Sequence, residues 1–328
     1  MRRVIVKKST NAAAAILLIL IANFVLFRVL PGDPATQFFR SAQGARPSEE
    51  LIERQRQILG IGDPIHVQLG KYLVNTFTGE WGYSFFRKSQ LVTDIIAQKA
   101  AWTLLLVGTS TLITLWLGIV IGAMSAWRRG KAFDLGSLGV GFFFYSMPTF
   151  WLGLLLVVLF HRTLGVIRLF PGSGATSIPP PTEPLALTVD VLSHLALPVI
   201  TLVLVQLAGI TLIMRSSLIE VLTEDYVVTA KAKGLSDRQV LKRHAIPNAR
   251  LPMVTVIALN LAFIVTGAIQ VETVFNYDGV GLLTVEAFQD SDYPVLQGLF
   301  LILTFAVVIA NLVSDFVYAY LDPRVRFE

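Results

Sequence analysis

The chain has 328 residues, of which 54% are apolar and only 15% charged, well under the roughly 25% charged content of water-soluble domains. A soluble fold has nowhere to put that surface, and the apolar residues fall in runs of about 20, the length a helix needs to cross a hydrocarbon core ~30 Å thick. The net charge of +5 sits between apolar runs and not on a soluble module, which points to a lipid membrane and away from nucleic acid as the partner.

The fold class expected is therefore an all-α integral membrane protein with six transmembrane helices, at 11–30, 100–127, 133–160, 191–214, 251–275 and 293–319. The first run follows Arg2, Arg3, Lys7 and Lys8. It is too long for the core of a signal peptide, and no small-x-small cleavage site follows it, so it reads as a retained anchor. Residues 1–30 are the N-terminal tail and first span, 31–99 an extracytoplasmic lobe, and 100–328 a five-helix core with a cytoplasmic loop at 216–250.

In the lobe, Ser48 can cap a helix with Glu49 and Glu50 in its first turn and Gly60 as its stop. A second helix is expected with Asp63 as cap and Pro64 at its first position, running through Leu69, Tyr72, Leu73 and Phe77 to Gly79. Farther on, Pro148, Pro198 and Pro252 fall within or at the ends of spans, where each removes a backbone hydrogen bond and permits a kink. The loop holding Pro171, Gly172, Gly174 and Pro179 to Pro181 is irregular.

Lysine and arginine set the orientation. One side carries the N-terminal cluster, then Arg128, Arg129 and Lys131, then Arg215 and the basic residues of 216–250, and finally Arg324 and Arg326. The short loops of the other side carry only Arg162 and Arg168. Both termini are expected to be cytoplasmic.

The loop at 216–250 is the most informative stretch. Asp225 can cap a helix that runs to Lys233, with Lys231 and Lys233 at its negative end and Gly234 as the stop. Ser236 can cap a second helix with Val240 and Leu241 on one face. Two short helices joined at a glycine make a compact knob. Its small residues, Ala230, Ala232 and Gly234, can come close to another protein, as a mechanical coupler requires; physically, an ordinary charged loop obeying the positive-inside rule fits as well.

The string D-Y-V-V-T-A-K-A-K-G-L-S from Asp225, followed by I-P-N-A from Ile246, resembles the EAA loop of permeases of binding-protein-dependent ABC importers, in particular the dipeptide/oligopeptide subfamily. Further matching strings cover nearly the whole chain: L-P-G-D-P from Leu30, G-E-W-G-Y-S from Gly79, S-M-P-T-F from Ser146, E-T-V-F from Glu272 with G-V-G from Gly279, D-Y-P from Asp292 and L-D-P-R from Leu321. The resemblance implies a permease of the bacterial inner membrane that imports di- or oligopeptides. Nickel or glutathione importers share the pattern, and an ion-coupled carrier and a non-transporting membrane scaffold are the remaining alternatives; the carrier calls for acidic residues at mid-span, where this sequence has almost none, and the scaffold needs no coupling loop.

The implied partners are a homologous second permease, two ATP-binding subunits, an extracytoplasmic solute-binding protein and the peptide itself. ATP and Mg belong to the partner subunits, and this chain carries no cofactor. The implied docking segment comprises Asp225, Tyr226, Thr229, Ala230, Lys231, Ala232, Lys233, Gly234 and Leu235, closed by Ile246 and Pro247. The glutamate position of the motif holds Val228, so the resemblance carries no charge-mediated contact to that position.

Glu272, an acid near membrane depth, is a candidate for the cavity or an outer gate; a carboxylate bonded to nearby backbone is the alternative. Met147, Pro148 and Phe150, beside Trp151, are candidates for an apolar constriction. Asp315 suits an ion pair with Arg324 or Arg326, and Arg28 can snorkel. Cysteine is absent, and His66, His161, His194 and His244 lack metal-type spacing, so no metal site is expected. No G-x-x-x-x-G-K-[ST], G-x-S-x-G or H-E-x-x-H occurs, so an enzyme site is not expected either.

Overall fold

The computed structural model describes residues 2–29, 62–87, 90–163, 165–249 and 268–321, together with 50, 53–54, 57–58 and 60. In chain order the helices are α1 (Arg2–Phe24, continued by a π-helical turn, Val25–Val29), α2 (Ile65–Thr78), α3 (Val92–Trp127), α4 (Ala132–Tyr145), α5 (Thr149–Phe160) and α6 (Pro184–Leu222). There follow α7 (Asp225–Ala232), α8 (Asp237–Val240, continued by a π-helical turn, Leu241–Ala245), α9 (Ile246–Ala249), α10 (Ile269–Val274), α11 (Val280–Gln289) and α12 (Tyr293–Leu321). Among the described residues the only extended pairings are two isolated bridges, Tyr83 with Leu91 and His161 with Phe170. Helices satisfy every backbone group within one segment, which hydrocarbon demands.

Three helices, with apolar stretches at Thr10–Phe27, Val92–Trp127 and Pro184–Leu222, are long and apolar enough to cross a membrane. The expected single span at 133–160 is broken: α4 and α5 meet at a bend of 98°. The cause is local. Pro148 has no N–H to continue the ladder and takes an extended ψ of 131°, so α5 starts afresh behind it. At 14 and 12 residues, the two pieces reach only about 20 Å each. Pro198, in contrast, sits inside the continuous α6. Most of the span expected at 251–275, the helix expected at 48–60 and Pro252 lie outside the described residues.

The chain forms two compact units. The first comprises Met1–Leu104, Val265–Thr273 and Tyr277–Leu312; the second comprises Leu105–Ile264, Val274–Asn276 and Val313–Glu328. In the first, one apolar cluster joins Val92, Ile95 and Ile96 of α3 to Leu283 and Ala287 of α11 and to Val295 and Leu299 of α12. A smaller cluster joins Leu20 and Phe24 of α1 to Tyr72 of α2 and Leu301 of α12. The boundaries of α2 differ at one end from expectation. Gly79 ends it with a left-handed φ of +81°, but Pro64 is the cap residue, and the Asp63 carboxylate turns instead to Lys71 Nζ at 2.7 Å.

In the second unit, α3 and α6 pack through Ala123, Ala126, Ile210, Met214 and Leu218. A buried ion pair ties α4 to α6. Asp134, 1% exposed, accepts from Arg215 Nε at 2.6 Å and Nη2 at 2.8 Å, and from the Gly130 N–H at 2.8 Å. This two-pronged geometry is peculiar to guanidinium. Arg215→Lys, which keeps the charge and loses the fork, is expected to lower stability by about 1–2 kcal/mol, read as a lower Tm in detergent.

Candidate functional site

The knob is built on the end of α6. Helix α7 turns its Val227 and Ala230 inward against Val240 of α8, with Val221, Leu222 and Leu235 around them. After α8 the chain continues through the π-helical turn into α9, and Ala245 at the end of the turn and Ala249 of α9, both 0% exposed, join the α3–α6 cluster. Ser236 opens this second helical run. Its N–H donates to Gln239 Oε1 at 3.0 Å and its hydroxyl to the same oxygen at 2.9 Å. At the junction, Gly234 takes a left-handed φ of +79°, which a side chain would strain.

The residues predicted for docking therefore divide. Ala230 is interior packing, not surface, and Leu235 is half-buried. Asp225 is the first residue of α7 and not its cap, which is Glu224. Asp225, Tyr226, Thr229, Lys231, Ala232, Lys233 and Gly234 are exposed, as is Val228 at 58%. Ile246 is half-buried and Pro247 exposed at the start of α9. Tyr226 lies beside Asn248 of α9; burial raises its phenol above the usual range, the Asn248 hydrogen bond lowers it, and Glu224 raises it further. The exposed side of α7 is apolar at Val228, small at Ala232 one turn on and basic at Lys231 and Lys233, with Tyr226 turned to another side beside α9, all on a base locked to α3 and α6.

Met147, Pro148 and Phe150 sit at the break between α4 and α5. Met147 is half-buried, and its N–H donates to the Phe144 carbonyl at 3.2 Å; Pro148 is exposed. Phe150 and Trp151 are nearly half exposed, while Leu152, Gly153 and Leu156 on the other face of α5 are buried. The two aromatic rings thus lie on the uncovered side of their unit.

Glu272 is fully enclosed in the first unit, at 0% exposure. Its carboxylate accepts from Thr103 Oγ1 at 2.9 Å and from the N–H groups of Gly281 and Leu282 at 2.7 and 3.1 Å. Those two N–H groups belong to the first turn of α11, where no intrahelical acceptor exists. Thr103 Oγ1 in turn accepts from the Val280 N–H at 2.8 Å. A Cβ added at Gly279 would fall on the carboxylate, and one at Gly281 on the Ile269 backbone as well as the carboxylate, which accounts physically for both glycines beside this glutamate.

A second enclosed acid performs a similar task. Asp292, 2% exposed and just ahead of α12, accepts from the Ser84 hydroxyl and from the Phe85 N–H at 3.0 Å. It fastens the segment after α2 to the start of α12. Burial pushes its carboxyl above the usual range, against the opposing pull of Ser84 and the backbone donors. Asp292→Ala leaves two donors without an acceptor, and a loss of about 2 kcal/mol is expected, measurable as a lowered thermal midpoint; Ser84→Ala, which also removes the acceptor of the Arg87 N–H at 2.8 Å, should cost a similar amount.

Among the described residues no group of three or more histidine or acidic side chains is placed to hold a metal.

The strings that carry the knob and the two acid nodes match known sequences. Residues 118–327 match the family described as "Binding-protein-dependent transport system inner membrane component", and residues 1–107 match the N-terminal component of the same systems. The chain belongs to this family of inner-membrane transport components. Three members show how far the likeness extends. The oligopeptide transport system permease protein AppB of Bacillus subtilis is 33% identical over 98% of this chain and 99% of its own length. The "Probable peptide ABC transporter permease protein y4tP" of Sinorhizobium fredii has the same identity and coverage. The "Probable D,D-dipeptide transport system permease protein DdpB" of Escherichia coli is 34% identical over 93% of this chain and 92% of its own length.

Two features of this permease-family chain escaped the sequence reading. Asp134 gave only a weak signal, a lone acid in the first turn of an apolar helix, and Arg215 read as one of many basic residues near a span end. The pairing of Ser84 with Asp292 joins residues 208 apart in sequence, beyond the reach of any local pattern.

Proposed function

We propose that this chain is the permease subunit of an ATP-driven importer of di- or oligopeptides in the bacterial cytoplasmic membrane. The observation that carries the coupling part is the knob: Val228 and Ala232, one turn apart on an exposed face of α7 with Gly234 just beyond its end, stand on a base packed into α3 and α6. A partner pressing on that face would move the spans and not merely the loop, because interiors are close-packed and transmit strain. The partner is a cytoplasmic ATP-binding subunit, of which the complex has two, each with its own ATP and Mg. This chain hydrolyses nothing itself.

In this reading the chain crosses the membrane six times with both termini cytoplasmic, the broken pair α4 and α5 counting as one crossing and 251–275 supplying another. A homologous permease forms the other half of the pathway. Phe150 and Met147, beside the Pro148 break, line that pathway, and a solute-binding protein delivers peptide from the extracytoplasmic side. Glu272 serves as an internal fastener for α11. The peptide assignment draws support from the names of AppB, y4tP and DdpB.

The test is uptake of labelled di- to pentapeptides by cells deleted for this chain and lacking any other peptide importer, against the same cells carrying it on a plasmid. Uptake lost on deletion and restored by the plasmid supports peptide import. Unchanged uptake removes the peptide assignment and turns the test to nickel and glutathione.

A further inference from the structure

Helix α2 belongs by sequence to an aqueous lobe, yet its partners are membrane spans. Tyr72 packs with Leu20, Phe24 and Leu301, and its hydroxyl donates to Asn23 Oδ1 at 3.3 Å. Phe77 meets the ring of Phe305 edge-on, with centroids 6.2 Å apart. Leu20 lies seven residues, or ~10 Å, inside the apolar run Thr10–Phe27, and Phe305 lies ~18 Å along α12 from its start. Residues that touch these side chains share their depth, and at that depth the solvent is hydrocarbon.

The outward face of α2 fits that solvent. Val67, Gly70, Val74 and Phe77 follow one another at helical spacing, on the side opposite Tyr72 and Thr76. Val74 is 62% and Phe77 70% exposed. A helix on an aqueous lobe would be polar there, whereas here Val67, Gly70, Val74 and Phe77 follow His66, with Lys71 and Thr78 along one flank. The polar side chains form a separate stripe, and each is occupied. Lys71 bonds the Asp63 carboxylate, while Gln68 Nε2 donates to the Asp63 carbonyl at 2.9 Å and Asn75 Nδ2 to the Ile58 carbonyl at 2.8 Å. Thr76 and Thr78 turn their hydroxyls back onto the carbonyls of Tyr72 and Val74. Such internal satisfaction is what low-dielectric surroundings require. The neighbouring surface of α1 is of the same kind, with Leu17, Leu18 and Ile21 exposed.

We infer that α2 is a membrane-embedded, non-spanning helix whose Val67–Val74–Phe77 face is covered by lipid acyl chains. It rests on the family's membrane location and not on the peptide assignment. Its test is independent of transport.

Because the chain has no cysteine, Val74→Cys and Ser291→Cys can each be the only thiol on this chain within the assembled complex in native membranes. A charged, membrane-impermeant maleimide is expected to label Val74→Cys at least ~10-fold more slowly than the aqueous reference Ser291→Cys, since hydrocarbon excludes the charge. A bimane placed at Val74→Cys with a permeant reagent should then be quenched when the complex is moved into nanodiscs of nitroxide-labelled phosphatidylcholine. Fast labelling at both positions would overturn the inference and return α2 to an aqueous lobe. Slow labelling without quenching would overturn it as well, by assigning the face to a protein subunit of the complex. Phe77→Cys, on the same face, repeats the measurement if Val74→Cys fails to accumulate.

Discussion

Glu272→Ala is expected to give the largest loss of stability of any single substitution considered for this permease, about 3 kcal/mol or more. Three donors lose their acceptor at once: the Thr103 hydroxyl and the N–H groups of Gly281 and Leu282. Each buried donor left unpaired costs about 1–3 kcal/mol. Water cannot relieve them easily, because the site is closed. Marginal stability makes a loss of that size severe, so the variant should show a strongly lowered thermal midpoint in detergent and poor accumulation in the membrane. Glu272→Gln separates a structural role from a transport role. Its amide oxygen can still accept from α11 and its NH2 can turn to Thr103 Oγ1, so it should recover most of the stability. If the carboxylate were needed to meet substrate, Glu272→Gln would be stable yet inactive; a stable and active Glu272→Gln is the expected outcome.

The second large effect concerns coupling. Ala232→Trp places an indole on the exposed face of α7 with no backbone strain and no buried neighbour, since the packed face is Val227 and Ala230. It should insert and fold normally yet reduce peptide uptake and transport-stimulated ATP hydrolysis at least ~10-fold, the effect of losing about 1.4 kcal/mol at an interface. Gly234→Trp should do the same. There the left-handed φ of +79° adds strain, so Gly234→Ala is the control that carries the strain without the bulk. A normally active Ala232→Trp would remove this face of the knob from the docking surface and leave the permease architecture standing. Copurification of the ATP-binding subunits with each variant tells a lost contact from a lost signal.

Much of this chain was legible in the sequence because its signals are local. Apolar runs marked α1, α3 and α6. The positions of Gly79, Gly234 and Ser236 as helix punctuation followed from what glycine and serine do to a backbone. The sequence also marks two short helices that meet at Gly234 after the apolar run of α6. It erred where the outcome depends on packing. Ala230 was read as surface because it is small, yet an eight-residue helix buries one side against whatever lies beneath it, and here that is Val240. At 133–160 the sequence shows one apolar run with a kink permitted at Pro148, and because hydropathy is blind to direction only the structure gives its size, 98°.

By itself the sequence determined that this protein lives in a membrane, that its family is that of transport permeases, and that a two-helix knob interrupts its spans, since length, apolar periodicity and short motifs are properties of neighbours along the chain. Only the tertiary structure decided what the acids are for. Glu272 and Asp292 are separated in sequence from some of the donors they serve, Thr103 by 169 residues and Ser84 by 208. Only folding brings such groups within hydrogen-bonding distance. The same holds for α2. Its sequence allows an aqueous lobe, and only the fold sets Tyr72 against Leu20, Phe24 and Leu301, the contacts from which its place at membrane depth is inferred.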